Sequence, residues 1–416
     1  MRYVCLAALL GIVWTCDKSD DEQPNWGSLD FSTIVALGNS LTAGVSDAAL
    51  YEDAQKNSYP RLIAKKANVA GDFEQPIISD NGFSWSDKDG RITINPISYE
   101  ISFLEPGEAV NSDLNRPYNN LGIPMITSGE LLTATNTNDV NANHFIDLVL
   151  RGSGKTALEE ALALDPTIIT LWIGNNDVLG AASLGMASSQ QPYTSVDDFA
   201  ANMEAIISTL TQGTPAPIFV ANIMDITSLP YFTTLPSSVV DTTDGSRYYL
   251  YGVCENGVRK LTDDDLVLYW ALPDYFIAQL FVGLGIFPSE ATALNDTLVL
   301  DATERFEIQG LIDGYNMIID ELVDDNDQVY LVDMHSRYTE MVTTGYQLDG
   351  VTYIPDLVIF DDGGGFQLNA TRTLFSFDGL HPNRYGYAAV ADLFINAMNL
   401  AGEAELPMVY LEDLFD

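Results

Sequence analysis

Three short motifs, widely separated along the chain, contain the residue types that nucleophilic catalysis requires. Ser40 follows the apolar run 34–37 in the segment IVALGNSLTAG, and Asp378 and His381 lie together in the segment FDGLHPN. Because Asp378 precedes His381 by three residues on a predicted turn, its carboxylate can reach the far ring nitrogen and orient the imidazole. His381 could then take the proton of Ser40 as the hydroxyl attacks a carbonyl carbon.

Each of these motifs also has a structural interpretation. A serine after a strand is a common N-cap of a helix, and an aspartate three residues before a histidine can be a helix cap or a pair of metal ligands. The chain contains three histidines, His144, His335 and His381, and it has no HExxH motif. No second histidine lies close to His381 in the sequence, so we expect no metal.

The third motif, GNND at 174–177, ends the apolar run 167–173. An asparagine amide at such a strand end can donate a hydrogen bond to a developing oxyanion, which stabilises the transition state by about 3 kcal/mol when the amide is preorganised. The structural alternative is an Asx turn, a frequent use of Asn and Asp after a strand.

The elements that must position these motifs follow from the alternation of short apolar runs with longer periodic segments, a pattern typical of a parallel α/β sheet. The predicted strands are 33–37, 76–79, 167–173, 217–222 and 329–333, and the predicted helices are 59–67, 156–164, 196–210, 303–323 and 385–400. Open α/β sheets bind ligands outside the carboxyl ends of their strands. The pattern therefore places Ser40 and the GNND motif at one edge of the sheet.

Two long segments do not fit a minimal domain of this kind. Residues 80–120 and 224–300 are rich in Pro, Tyr, Asp and Thr and only weakly periodic, and we interpret them as insertions at the loop ends of strands, where substrates bind. Residues 350–376 are predicted to form a hairpin with a kink at Gly363–Gly365. Residues 401–416 are predicted to be a C-terminal tail.

Together the motifs resemble blocks I, III and V of the SGNH (GDSL-type) hydrolases, in the family's order and spacing. The matching segments are GNSL at 38–41, GNND at 174–177 and DGLHP at 378–382. The resemblance covers residues 31–400 apart from the insertions. It implies a three-layer α/β/α, flavodoxin-like fold with a central parallel sheet.

The resemblance also implies the roles of the site residues. Ser40 would be the nucleophile, His381 the base and Asp378 its orienting acid, while the N–H of Ser40 and the amide of Asn176 would hold the oxyanion. Members of the family hydrolyse esters, including lipids, thioesters and acetylated sugars, through an acyl-enzyme. The mechanism requires no metal or organic cofactor.

Two positions depart from the pattern of the family. The family's usual Asp before the nucleophile is Asn39 in this chain. The segment NLGIPM at 120–125 resembles block II, but Met125 stands where the family has the glycine whose N–H binds the oxyanion. The third donor is therefore expected to be the N–H of Met125 or one near Gly122.

The first residues resemble a bacterial lipoprotein signal. An apolar stretch, 4–14, follows Arg2 and ends next to Cys16, and an acidic segment comes after it. We predict a signal peptide at 1–15, lipidation of Cys16 and an acidic tether at 16–30, which resembles that of surface lipoproteins of Bacteroidota. The protein would then be exported and anchored at the outer membrane or cell surface only by its lipid. The alternative is an ordinary secretory signal with an incidental Cys16.

The composition excludes some classes of function. The chain of 416 residues is 47% hydrophobic, which indicates a large core, and its 59 acidic and 18 basic residues give a net charge of −41, which disfavours nucleic-acid binding. The segment RGSGKT at 151–156 resembles the end of a phosphate-binding loop. Val149 stands where that motif requires its first glycine, so nucleotide hydrolysis is not expected.

These observations predict an exported serine esterase or lipase whose substrate is an ester of a lipid or of an acetylated carbohydrate. The apolar parts of 224–300 would either form a lid over an acyl pocket or pack inward and frame a polar cleft. The alternative is a non-catalytic surface protein that binds glycans or lipids through the insertions.

Overall fold

The centre of the protein is a parallel sheet of five strands. The computed structural model describes residues 24–86, 88–94, 101–140, 143–186, 192–360, 366–368 and 372–415. The strands of the sheet are β1 Ile34–Gly38, β2 Asn120–Gly122, β3 Ile168–Trp172, β4 Ile218–Ala221 and β5 Val329–Val332. Their order is β5-β4-β3-β1-β2, with parallel pairing throughout. This is the flavodoxin-like order, in which the direction of winding reverses between β1 and β3.

The register brings three strand ends to one level. Gly38, the last residue of β1, pairs with Gly122 at the end of β2 and with Trp172 at the end of β3. The segments that follow these three strands therefore leave the sheet side by side, at the point where ligands bind in folds of this type.

Helices cover both faces of the sheet, which explains why β1 and β3 are buried along their whole length. The helices are α1 Ser40–Ala43, α2 Glu52–Lys56, α3 Tyr59–Lys66, α4 Ser128–Thr133, α5 Phe145–Leu150, α6 Ala157–Leu162, α7 Asn176–Ala182, α8 Val196–Gly213, α9 Pro230–Thr233, α10 Leu272–Gly283, α11 Ala302–Asp324, α12 Met334–Thr344 and α13 Arg384–Gly402. Helices α3 and α13 pack together on one face, and α4, α6, α8 and α11 pack against one another on the other face. The three-layer α/β/α architecture is confirmed.

The insertions consist largely of short hairpins and single helical turns. The paired short strands are Ala49–Leu50 with Phe83–Ser84, Ile92–Ile94 with Ile101–Phe103, Ser238–Val240 with Arg247–Tyr249, Tyr251–Cys254 with Gly257–Lys260, Leu266–Val267 with Val299–Leu300, Tyr346–Leu348 with Val351–Tyr353, and Val358–Phe360 with Phe366–Leu368. The 3₁₀ turns are Thr137–Asp139, Ile226–Ser228, Tyr269–Ala271, Glu290–Thr292, Asp296–Leu298 and Leu411–Leu414. The predicted hairpin at 350–376 corresponds to parts of two hairpins, and the predicted kink at Gly363–Gly365 lies outside the described residues.

The strand predicted at 76–79 is wrong. Ile78 forms only an isolated antiparallel bridge with Ala109, and the fifth strand of the sheet is β2. Pro76 has no N–H to donate to a sheet, and its carbonyl accepts a hydrogen bond from the side chain of Gln55. The N–H of Ile77 donates to the side chain of Asn111. Two backbone groups that a strand would use, the carbonyl of Pro76 and the N–H of Ile77, are thus bonded to side chains.

The predicted signal peptide at 1–15 and Cys16 lie outside the described residues. Over the ranges that are described, no helix is both long enough and apolar enough to cross a membrane.

Candidate active site

The turn after β1 places Ser40 at the start of α1. Asn39 caps this helix, because its Oδ1 accepts the N–H of Leu41 at 3.0 Å. Gly38 is required for the turn, since a Cβ there would lie 2.2 Å from Thr42 Oγ1 and 2.4 Å from the carbonyl oxygen of Trp172. A strand that ends on Gly-Asn-Ser thus leads directly into a helix with the serine in its first turn.

Ser40, His381 and Asp378 form one continuous line of hydrogen bonds. Ser40 Oγ lies 3.0 Å from His381 Nε2, and His381 Nδ1 lies 2.8 Å from Asp378 Oδ2. A carboxylate at Nδ1 favours the tautomer with its proton on that nitrogen. His381 Nε2 is then left to accept the hydroxyl proton of Ser40.

The carboxylate of Asp378 is buried and well supplied with donors. Its Oδ1 accepts the N–H groups of Leu380 and His381, both at 2.8 Å, and its Oδ2 accepts the N–H of Ala48 at 2.6 Å. Burial alone would raise the pKa of Asp378, but the adjacent His381 and the backbone N–H donors outweigh it and hold the pKa below its usual value. Asp378 is therefore ionised at neutral pH and fixed in orientation.

Helix α13 begins directly after this segment. Asn383 caps α13 by accepting the N–H groups of Tyr385 and Gly386, and its side-chain amide donates to the carbonyl oxygens of Thr373 and Phe375. One asparagine thus joins the first turn of the last helix to the loop that precedes Asp378.

Two of the expected oxyanion donors have N–H groups available. The N–H of Ser40 is the first of α1 and donates no hydrogen bond in the described part of the chain. Asn176 begins α7, and its Nδ2 donates to the carbonyl oxygen of Ile126 at 2.9 Å. That bond fixes the amide and leaves its second N–H for another acceptor. Asn39 Nδ2 donates to Asn175 Oδ1 at 3.3 Å, which joins the two turns.

Gly122 is not free to donate to an oxyanion, in contrast to the prediction. Its N–H donates to Asn120 Oδ1 at 3.0 Å. The position requires glycine for a different reason, because a Cβ there would lie 2.4 Å from the backbone nitrogen of Ala43 in α1. Gly122 thus allows β2 to lie against the helix that carries Ser40.

Met125 has the properties expected of the third donor. Its φ is 67°, the left-handed conformation that glycine adopts most easily. The N–H of Met125 donates no hydrogen bond to any of the described residues. The side chain is 50% exposed. The backbone at this position therefore has a conformation that glycine adopts easily, although the residue is methionine.

Asp177 holds the segment around Met125 close to Asn176. Its Oδ2 accepts the N–H of Ser128 at 2.9 Å and its Oδ1 accepts the hydroxyl of Ser128 at 2.5 Å, so the starts of α7 and α4 are joined. Asp177 is buried, and burial raises its pKa. The sequence contained Asp177 within the GNND motif, but nothing in it indicated a partner 49 positions away.

In the described part of the chain, the other two histidines form no hydrogen bond with Ser40, Asp378 or His381. His335 Nδ1 lies 2.9 Å from the carbonyl oxygen of Ile223, and His144 Nε2 lies 3.3 Å from that of Ser84. Across the ranges that the structure describes, no three His, Cys, Asp or Glu side chains are grouped so that they could hold a metal ion.

Comparison with known proteins gives matches to a family model and to solved structures. A model of the family described as GDSL-like Lipase/Acylhydrolase matches residues 34–394. No curated protein matches the chain. Among solved structures, the chain is similar to LAE5, an alpha/beta hydrolase enzyme from the metagenome of Lake Arreo, Spain. The sequence identity is 12%, the match covers 89% of this chain and 96% of that one, and the TM-score is 0.37. It is also similar to a possible lipase from Chitinophaga pinensis, with 12% identity, coverage of 69% and 84%, and a TM-score of 0.27.

Proposed function

The chain belongs to the GDSL-like lipase and acylhydrolase family, and from this membership we propose that it hydrolyses carboxylic esters through an acyl-enzyme on Ser40. The observation that carries the proposal is the line of hydrogen bonds from Ser40 Oγ through the imidazole of His381 to the buried carboxylate of Asp378. An activated serine hydroxyl, a base and an orienting acid are the groups that acyl transfer requires.

In the acylation step, Ser40 Oγ attacks the ester carbonyl carbon while its proton passes to His381 Nε2. The carbonyl oxygen becomes an oxyanion, which accepts hydrogen bonds from the N–H of Ser40, the amide of Asn176 and the N–H of Met125. The bond between the carbonyl carbon and the leaving oxygen then breaks, and His381 gives its proton to the departing alcohol.

In the deacylation step, water takes the place of the alcohol. His381 Nε2 removes a proton from the water, whose oxygen attacks the acyl carbon. When this second tetrahedral intermediate collapses, the bond to Ser40 Oγ breaks, the acid product leaves, and His381 returns its proton to the serine. The ionised carboxylate of Asp378 stabilises the imidazolium in both steps.

An apolar surface on the second insertion supports esters of lipids as the substrate class. The segment 275–287 contains no charged residue in a chain of net charge −41. Tyr275 and Val282 of this segment are buried, whereas six large apolar side chains are between 39% and 68% exposed: Ile277, Leu280, Phe281, Leu284, Ile286 and Phe287. An uncharged segment with many apolar side chains open to solvent suits contact with an apolar ligand.

The insertion also reaches the proposed triad. It begins after the carboxyl end of β4, and Ser40 follows the carboxyl end of β1 in the same parallel sheet. The N–H of Tyr231 in α9 donates to the carbonyl oxygen of Gly379 at 2.9 Å. Gly379 directly follows Asp378. We propose that the acyl chain of a lipid ester contacts the exposed face of this insertion while its carbonyl group lies at Ser40.

Labelling by a fluorophosphonate probe, together with hydrolysis of p-nitrophenyl esters of increasing acyl length, tests the proposal. The wild type should be labelled and should hydrolyse these esters, and Ser40→Ala and His381→Ala should lose both activities. Ser32→Ala, which changes an exposed serine, serves as the control and should behave like the wild type. Labelling that persists in Ser40→Ala would contradict the mechanism. An unlabelled wild type would favour a non-catalytic binding protein.

We also propose that the protein is exported and anchored through an acylated Cys16. The apolar segment 4–14 that ends next to Cys16 supports this proposal. In a bacterial host, metabolic labelling with an alkyne fatty acid should label the wild type and bring it to the membrane fraction. Labelling that is equal in the wild type and in Cys16→Ser would contradict lipidation at this residue.

A further inference from the structure

A short segment after α1 is bound to the loop that carries Asp378. The N–H of Asp47 donates to Ser376 Oγ at 2.9 Å, and the N–H of Ala48 donates to Asp378 Oδ2 at 2.6 Å. Two consecutive backbone N–H groups thus point to the same loop, about 330 positions further along the chain. The resemblance to the SGNH family assigned no role to this segment.

The side chain of Asp47 adds a third bond to that loop. Its Oδ1 accepts the N–H of Phe377 at 3.0 Å, and its Oδ2 accepts the hydroxyl of Tyr51 at 2.9 Å. Both carboxylate oxygens are therefore occupied, and Tyr51 holds the carboxylate in the orientation that reaches Phe377. Phe377 is the residue directly before Asp378.

From this geometry we propose that Asp47 is a positioning residue for ester hydrolysis, which holds the backbone of Phe377 so that the Asp378 carboxylate points at His381. The inference rests on the proposed function, because it concerns the rate of the step in which Ser40 and His381 exchange a proton. Asp47 acts through Asp378 and does not itself contact the reacting atoms.

The backbone conformation of the segment supports this role. Asp47 and Ala48 have φ values of 49° and 60°, so two consecutive residues with a Cβ adopt the left-handed conformation. Such strain is found where the surrounding structure has a use for it, and in particular next to active sites. Here the two residues in the left-handed conformation are the same two whose N–H groups bind the loop.

Burial of Asp47 is unfavourable for stability by itself. Asp47 is 9% exposed, and its pKa is raised mainly by burial and also by the charge of Asp378, although the hydrogen bonds from Phe377 and Tyr51 and the charge of Arg91 oppose the shift. A buried carboxylate next to an ionised carboxylate does not stabilise a fold. A function in positioning explains why such a residue would be kept at this place.

One side of the loop borders a cavity, whereas α9 and Asn383 bind the loop elsewhere. Ser376 and Phe377 line a cavity of about 140 Å³ together with Asp47 and Tyr51. On the side of the cavity, the loop is held by its hydrogen bonds to Asp47 and Ala48. A displacement of about 1 Å in a catalytic group can reduce the rate by about 100-fold.

Two substitutions at Asp47 test the proposal, because they separate an effect on the catalytic rate from an effect on the stability of the fold. Asp47→Ala removes the acceptor for Phe377 and should lower kcat by about 30- to 100-fold, with KM within about twofold of the wild type. Asp47→Asn keeps an acceptor oxygen for Phe377 and tolerates the left-handed conformation, so kcat should stay within about fivefold of the wild type. Its Tm should equal or exceed that of the wild type, because a buried charge is removed.

Asp165→Ala is a matched control. Asp165 also has a φ of 49° but is exposed, so this variant has the same backbone strain without the contact to the loop and should keep the kcat of the wild type. If Asp47→Ala does not fold, Ser376→Ala decides in its place, since it removes the acceptor of the Asp47 N–H and should lower kcat by about tenfold.

Three results would overturn the inference: a wild-type kcat in the deciding variant, a change in KM alone, or an equal loss of kcat in Asp47→Ala and Asp47→Asn. These results are separate from a failure of the proposed function. A wild type without hydrolysis that depends on Ser40 would overturn the function itself, whereas hydrolysis that depends on Ser40 but not on Asp47 would overturn only the positioning role.

Discussion

Met125 shows how a single residue can serve a site through its backbone alone. Its φ of 67° is disfavoured for a residue with a Cβ by about 1–2 kcal/mol, and its side chain is half exposed. The N–H is free of partners in the part of the chain described. In the proposed mechanism, the site thus uses the conformation and the N–H of this residue and not its thioether.

The activity of Met125 variants should depend on how easily the new residue adopts the left-handed conformation. Met125→Gly should keep kcat/KM within about threefold of the wild type, because glycine retains the N–H and adopts this φ freely. Met125→Val should lower kcat by about tenfold or more, since a β-branched residue resists a positive φ and would displace the donor. Steady-state hydrolysis of a p-nitrophenyl ester measures both effects. An equal loss of kcat in the two variants would indicate that the site needs the methionine side chain.

At the scale of residues, the sequence was informative where the side chain itself is the reactive group. Ser40, Asp378 and His381 could be predicted because their chemistry is specific and their motifs are short. Ala48 could not be predicted, because every residue except proline offers an N–H and only the fold brings this one to Asp378. The packing role of Gly122 could not be predicted either, because close packing against α1 depends on the three-dimensional structure.

At the scale of elements, strand β2 shows why a short strand is difficult to predict from the sequence pattern. It has only three residues, Asn120–Gly122, and asparagine and glycine are both depleted in strands. The more apolar segment 76–79, which is predicted to be a strand, lies outside the sheet. The other four strands of the sheet and helices α3, α6, α8, α11 and α13 were predicted within a few residues, because their apolar runs and helical periods are clear in the sequence. Helices α10 and α12 were not predicted.

Gly122→Ala should damage the contact between β2 and α1. The added Cβ would lie 2.4 Å from the nitrogen of Ala43 and 2.8 Å from the carbonyl carbon of Thr42, both backbone atoms that no change of rotamer can move. We expect a loss of about 1–3 kcal/mol in the free energy of unfolding, measured in urea, together with a fall in kcat as Ser40 shifts.

Gly310→Ala is the control for this substitution. Gly310 lies within α11, and a Cβ added there would meet no described atom outside its own helix within 4 Å. Alanine should therefore raise the free energy of unfolding by up to about 1 kcal/mol and leave kcat unchanged. A Gly122→Ala variant as stable and as active as the wild type would contradict the assigned packing role.

The link between α4 and α7 should make stability depend on pH. Burial raises the pKa of Asp177 in the folded state, so the folded protein binds this proton more readily than the unfolded chain. The contribution of Asp177 to stability is therefore most favourable in acid, and it falls as the pH rises from its ordinary pKa of about 4 through the raised value.

Asp177→Asn removes this titration. The free energy of unfolding of Asp177→Asn minus that of the wild type should increase with pH across this range, whatever its value at the lowest pH. Urea unfolding of both proteins at several pH values between about 3 and 7 measures the difference. A difference that is constant or falls with rising pH would show that the burial of Asp177 does not shift its ionisation in the expected direction.

At the scale of the whole molecule, charge is the dominant property. The net charge of −41 gives the surface a negative potential that repels anions over a distance set by the ionic strength, about 30 Å at 0.01 M and about 10 Å at 0.1 M. The uncharged segment 275–287 is an exception within this surface. The composition thus favours an uncharged ester over an anionic one before any contact is made.

This field should appear as a salt dependence that differs between substrates. For an ester with an anionic acyl group, kcat/KM should rise by about tenfold between 10 mM and 500 mM NaCl, because screening removes the repulsion that slows its approach. A neutral ester with an acyl group of the same length is the matched control, and its kcat/KM should change little, since the field does not act on it. If both esters responded equally to salt, the effect would come from the protein's stability or conformation, and electrostatic selection of the substrate would be excluded.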